Sequence, residues 1–300
     1  MARQTQALAR ICDVISRHAQ EGRAPTALPR VRLERVSALT PPAGETLGPS
    51  VSLVVQGTVR TVLCEKTSYY GAGEFVVASV GLPVTCAVTG ANKVQPYLAI
   101  SISLQPAIVS EMLLAAPAPR QTTVSSVAQA LATGIADPDL LDVVERLTRL
   151  LDRPADAAGL QPLYERELLW RLITGKHGQT VRQIGLPDSH LSQLSHAISW
   201  IRTHYDQPFS VEELAARASM SVTSFHRHFR AITQMTPLQY QKHLRLHEAR
   251  TRLLAHADDV AGVGYAVGYG SPSQFSREYR RMFGAPPRND AAHLRETSAT

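Results

Sequence analysis

The arrangement most able to do chemistry is an arginine set among short hydroxyl side chains, and it occurs twice. Residues 271–287 of the 300-residue chain read SPSQFSREYRRMFGAPP, and residues 222–237 read VTSFHRHFRAITQMTP. At an offset of fifty, Phe225 aligns with Phe275, Arg227 with Arg277, Phe229 with Tyr279, Arg230 with Arg280, Ile232 with Met282 and Pro237 with Pro287. Agreement in one register indicates a duplicated module, and two copies are too few for a solenoid. In each copy the apolar residues fall at i, i+4 and i+7, the buried stripe of a helix. The opposite face then shows Thr223, His226, Arg227 and Arg230 in the first copy. In the second it shows Ser273, Gln274, Ser276, Arg277 and Arg280. Arginine can fork onto guanine or hold phosphate, while small hydroxyl residues let a backbone approach closely.

What precedes each string must position it. A short helical segment, VEELAARA and then VAGVGYAV, leads through a tight turn into the arginine-bearing helix. Ser210 stands where it can cap the first of these segments, with Glu212 and Glu213 in its first turn. Helix, turn and exposed second helix form a helix-turn-helix, whose second helix enters the major groove. The predicted units cover about residues 210–232 and 259–283.

The totals set the frame. Length suggests two domains, and 44% hydrophobic with 19% charged residues allows ordinary cores. Net charge is +6, of which residues 181–300 carry +4, from 14 Lys and Arg against 10 Asp and Glu. Lysine occurs only at 66, 93, 176 and 242, so arginine supplies most of the positive charge. The N-terminal residues lack a signal-peptide core, and no apolar run reaches the length of a membrane span. Cys12, Cys64 and Cys86 make neither a disulfide framework nor a CxxC pair. A reduced, cytoplasmic protein is expected.

Three stretches follow. From Val31 to about Leu104, short β-branched segments separated by Gly57, Gly71, Gly73, Pro83, Gly90 and Pro96 predict a small antiparallel barrel or sandwich. From Pro106, helical patterns take over. DPDLLDVVERLTRLLDRP and LYERELLWRLITGKHG predict a helical hairpin, and Leu140, Val144, Leu147 and Leu151 form a stripe that either covers the barrel or makes a dimer seam. Residues 179–190, polar with Gly185 and Pro187, are expected as a linker, and everything beyond is helical. The predicted class is α+β with two domains: residues 1–178, residues 191–290, and a tail at 291–300.

Residues 192–290 resemble the DNA-binding domain of the AraC/XylS family of bacterial transcription regulators. AISWIRTHYDQPFSVEELA, SFHRHFRAITQMTPLQYQKHLRLHEARTRLL and VGYGSPSQFSREYRRMFGAPP carry the resemblance. It implies two helix-turn-helix units joined by a long helix at about 237–256. Residues 1–180 are similar to the family's cupin-like regulatory domain, through GEFVVASVGLPV and PYLAISISL. The resemblance further implies double-stranded DNA and RNA polymerase as partners, an activator's role, a homodimer, and a small-molecule effector in the barrel. Two departures stand out. Gln234 takes the place of a glycine after the first recognition helix, and Gly262 and Gly264 lie inside a helix, where each costs about 1 kcal/mol against alanine.

Within the barrel, Arg60, Tyr70, Phe75 and Tyr97 are the candidate ligand residues, with Tyr69 and Glu65 nearby. A cupin enzyme fused to a DNA-binding domain is the alternative of another class. Its metal is held mostly by histidine, and no histidine lies between His18 and His177. No metal, cofactor or catalytic residue is therefore expected. A regulator without a small-molecule effector is the remaining alternative.

Overall fold

The computed structural model describes residues 2–64, 66–116, 130–176, 178–186, 190–255 and 259–298. An N-terminal helix, α1 (Ala2–His18), precedes nine strands: β1 (Gly22–Pro25), β2 (Val31–Val36), β3 (Ala43–Leu47), β4 (Ser50–Gln56), β5 (Thr58–Leu63), β6 (Lys66–Gly71), β7 (Glu74–Ala78), β8 (Leu82–Gly90) and β9 (Tyr97–Ser103). Then come α2 (Pro106–Ala115), β10 (Leu131–Ile135), α3 (Pro138–Arg149), a 3₁₀ turn at Leu150–Asp152, and α4 (Pro154–Thr174). All strand pairs are antiparallel, in a six-stranded sheet ordered β1-β2-β9-β4-β7-β10 and a four-stranded sheet ordered β3-β8-β5-β6.

Alternation decides what each strand faces. On β2, Val31 and Leu33 are buried toward the helices, while Arg32, Glu34 and Val36 line the space between the sheets. On β4, Val51 and Leu53 join the helix-side core, while Ser52 and Val54 line that space. Asp137 caps α3 through the Leu140 amide, and Pro138 fills the first turn, where its missing N–H is not needed.

The stripe Leu140, Val144, Leu147 and Leu151 is no more than 9% exposed. Leu140 and Val144 meet Val51, Leu53, Phe75 and Leu168. These residues cover the sheet, so the stripe is core and does not form a seam between copies.

Two further segments differ from expectation. Residues 178–185 form helix α5 (Gly178–Gly185), with Val181 and Ile184 buried, so most of the expected linker is packed structure. Residues 187–189 lie outside the described residues. The expected tail belongs to a helix, α12 (Pro287–Ser298), with Ala291 and Leu294 buried. The strand β10 went unread because LATGI is short, contains glycine, and sits in a stretch of helical pattern.

The C-terminal half is helical: α6 (His190–Thr203), α7 (Val211–Arg217), α8 (Val222–Thr233), α9 (Pro237–Ala255), α10 (Val260–Ala266), α11 (Pro272–Phe283) and α12. One apolar cluster runs from the barrel's outer layer through α6 into Phe225, Phe229 and Tyr240, while the second unit has its own around Phe275 and Tyr279. The halves touch directly, since Oη of Tyr240 donates to the Gly81 carbonyl at 2.7 Å.

Candidate nucleic-acid interface and ligand cavity

The duplication is carried into three dimensions. Ser221 caps α8 through the Ser224 amide, and Ser271 caps α11 through the Gln274 amide. The turns entering these helices each need one left-handed residue, Ser219 (φ 53°) in the first unit and Gly268 (φ 91°) in the second. After the recognition helices, Gln234 (φ 62°) and Gly284 (φ 82°) occupy the same conformation. Glutamine therefore adopts the glycine-favoring geometry at that position, with its side-chain amide donating to the Ala231 carbonyl at 3.0 Å. Ser210 and Glu213 complete a capping box on α7.

Phe225, Phe229, Phe275 and Tyr279 are wholly buried. That rotation leaves Thr223, His226, Arg227, Arg230, Ser273, Gln274, Arg277 and Arg280 exposed, with Ser276 partly so. Arg277 and Arg280 have no side-chain partner among the described residues. Nη2 of Arg227 lies 3.3 Å from Nε2 of His228. His228 stacks on His190 with centroids 3.7 Å apart, and burial pushes its pKa down. Arg230 also lines a cleft of about 910 Å³ between barrel and first unit, together with Lys66, Lys176 and His243.

The helix α9 ties the units together. Arg245 donates to the carbonyls of Tyr205 (2.6 Å), in the connection from α6 to α7, and Gly268 (2.7 Å), in the turn before α11. Lys242 pairs with Glu278 of α11 at 2.9 Å. In α10, Asp259 caps the helix through the Gly262 amide. Gly264 faces Phe275, where a Cβ would come within 3.0 Å of the ring. The interior glycine is thus a close contact between helices, which the sequence reading treated only as a weak point.

The second candidate site is a cavity of about 530 Å³ between the two sheets. Two of the expected ligand residues, Tyr70 and Tyr97, line it. Burial pushes the pKa of both phenols up. The other two do not line it. Phe75 points to the helix side among Leu53, Ile100 and Leu168. Arg60 lies between Val59 and Thr61, which face the cavity, so strand alternation turns it away. Glu65 lies outside the described residues.

Residues that sequence reasoning passed over complete the wall. Arg32, Ser101 and Ser52 sit in one row across β2, β9 and β4. The two hydroxyls are 2.9 Å apart. Arg32 is exposed at the cavity's edge and has no ion-pair partner among the described residues. Arg23 pairs with Glu34 at 2.6 Å and reaches across to Glu45 on the other sheet. Val54, Val59, Val76 and Val88 supply apolar wall. The signal was available, since Val31-Arg32-Leu33-Glu34 alternates apolar and charged residues. No group of three or more potential metal-ligating His, Cys, Asp or Glu side chains comes together among the described residues.

Comparison with known proteins agrees with this organisation. Residues 27–180 match the family described as AraC-type transcriptional regulator N-terminus, and residues 214–292 match a helix-turn-helix domain. The chain is 30% identical over 154 residues to the HTH-type transcriptional activator RhaS of Escherichia fergusonii, covering 51% of this chain and 54% of that one. The match thus spans about half the length of that relative. In fold, the chain is similar to apo ToxT from Vibrio cholerae, a single-residue variant, with TM-score 0.56 and 8% identity over 92% of this chain and all of that one. Wild-type ToxT bound to an unsaturated fatty acid superposes with TM-score 0.53 and 8% identity, over 87% and 93% of the two chains. With the family match covering half of its residues, the chain belongs to the AraC-type transcriptional regulators.

Proposed function

We propose that this chain binds a specific DNA sequence through α8 and α11 and regulates transcription there in response to a small molecule held in the barrel. The observation that carries the reading is the pair of matched, exposed recognition faces, each centred on an arginine at the same position. Arg227 and Arg277 read bases, supported by Thr223, His226, Ser273, Gln274 and Ser276. Arg280, and Arg230 from the rim of the cleft, hold phosphate. The regulator works in the cytoplasm as a homodimeric activator that contacts RNA polymerase, and it is not an enzyme. Selection from a random duplex library tests this. Enriched sequences should contain two conserved blocks about one helical turn apart. Failure to enrich any sequence would refute the reading.

The cavity suits a small organic anion with an apolar body. Its volume lies in the range of small-molecule sites, its walls are largely aliphatic, and Arg32 offers a guanidinium that makes no ion pair among the described residues, beside the Ser52 and Ser101 hydroxyls. Decanoate, a single carboxylate on an apolar chain, is a suitable probe. It should bind the wild-type chain and lose about tenfold or more in affinity to Arg32→Gln, as loss of a charged hydrogen-bond partner would give. Equal binding to both removes Arg32 as the anchor.

A further inference from the structure

The edge strand β3 meets a different neighbor on each side. Ala43 through Leu47 wall the ligand cavity. On the other side, the same segment receives α9. The Pro42 carbonyl accepts a hydrogen bond from Nη1 of Arg250. At Gly44, a Cβ would overlap the imidazole of His247. Only a residue without a side chain lets the strand and the imidazole meet. Within its sheet β3 pairs with β8 alone, so one of its two edges is not held by strand hydrogen bonds and it can shift against the rest of the wall.

The contact continues beyond Arg250. Its Nε and Nη2 donate to the two carboxylate oxygens of Asp290, at 2.8 and 2.9 Å. Oη of Tyr279, on α11, donates to that same carboxylate at 2.8 Å. The guanidinium also lies 4.6 Å over the ring of Phe283, the last residue of α11. Arg250, Asp290 and Tyr279 are all buried. A guanidinium has five donors and no acceptor, and Asp290 takes two of its N–H groups. The Pro42 carbonyl is the barrel's share in satisfying the rest. Without it a buried donor goes unmet.

We propose that β3 relays occupancy of the barrel cavity to the second recognition helix, through Arg250 and the Asp290–Tyr279 pair. The proposal rests on the reading of the cavity as the ligand site. A ligand packed on the inner side of β3 binds the arrangement in which that strand is in place, and so favours it. The same arrangement presents the Pro42 carbonyl to Arg250. Linkage is reciprocal, so loosening α9 from β3 weakens ligand binding.

Hydrogen exchange on the full chain tests the relay. Three proteins are compared: wild type, Gly44→Ala, and Gly44→Ala with His247→Ala, which removes the ring that the new methyl strikes. Gly44→Ala should speed exchange at residues 43–47 and at 279–294 together, by about tenfold, with α7 unchanged. The double variant should return both toward wild type. Faster exchange at 43–47 with none at 279–294 overturns the proposal, and so does an increase that includes α7. Should Gly44→Ala not fold, Glu45→Gln, which gives up the ion pair that ties β3 to Arg23 of the other sheet, is read by the same criteria. Decanoate separates the two readings. On wild type it should slow exchange at 279–294, and on Arg32→Gln it should not. Binding through Arg32 that leaves 279–294 untouched overturns the relay and leaves the ligand site standing. If decanoate does not bind at all, the ligand reading fails, and the Gly44 comparison decides the relay alone.

Discussion

Gly264 and Phe275 approach so closely that a Cβ on residue 264 would lie 3.0 Å from Cδ1 of the ring. Phe275 cannot readily give way, because it is wholly buried, with the rings of Tyr269 and Tyr279 centred 5.3 and 5.6 Å from its own. Two effects therefore oppose each other in Gly264→Ala. Helix propensity favours alanine by about 1 kcal/mol, and crowding a packed core costs about 1–3 kcal/mol. Crowding wins. The variant should melt at a lower temperature than wild type and bind its selected duplex no more tightly. A raised melting temperature would show that the ring can shift.

Val144→Asp should destroy the fold of the N-terminal half, and it should not produce a well-folded monomer. Val144 is 3% exposed, among Val51, Leu53, Phe75 and Leu168. No hydrogen-bond donor is among those side chains, so a carboxyl group there costs roughly 2–7 kcal/mol. Circular dichroism and sedimentation should report lost structure or aggregation. A soluble, folded, smaller species would restore the seam that the stripe's burial argues against.

Much of this was legible because local periodicity and tertiary burial agree. The i, i+4 aromatics of both recognition helices turned inward, and Ser210 caps α7 where the sequence placed it, while the Ser221 and Ser271 caps were added by the structure. Strand parity was equally legible over Val31–Glu34, where it sets Arg32 opposite Val31 and Leu33, and in β7, where it sets Phe75 opposite the cavity-facing Val76. In GQTVRQIG, Val181 and Ile184 supply a helical stripe too short to stand out among polar neighbors. The Arg250–Asp290 pair was not legible at all. Its partners are 40 residues apart, and the third participant, Pro42, is 208 residues from Arg250. Packing of α12 on α9 brings the first two together, and docking of α9 on β3 adds the third.

Arg277 and Arg280 should separate by what they do to specificity. On α11 they stand nearly one turn apart, both exposed and without side-chain partners among the described residues. Arg277→Ala should cost about 1–3 kcal/mol on the selected duplex and relax preference at one base pair. Arg280→Ala should weaken selected and scrambled duplexes alike and lower the salt dependence by about one phosphate contact. Arg227→Ala should resemble Arg277→Ala at the other block. If Arg227→Ala and Arg277→Ala both leave the ratio of selected to scrambled affinity unchanged, the two-reader account fails.

The contact between His247 and Gly44 should make docking of the two halves sensitive to acid. Burial, with His243 and Arg250 adding positive charge nearby, pushes the His247 pKa down to about 3. In the unfolded chain it titrates near the usual 6.5. Between those values the unfolded state holds the extra proton, so stability rises with pH there and is lost as pH falls. Above about 6.5 both states are neutral at this residue and the full contribution is present. Going down to pH 5, the loss is at most about 2 kcal/mol, at 1.36 kcal/mol per unit. His247→Phe keeps a ring against Phe283 and removes the proton site. Its melting temperature should fall less than that of wild type between pH 7 and pH 5, and exchange at residues 43–47 should lose the corresponding acid-induced rise. Parallel losses in the two proteins would mean that His247 does not carry the acid response.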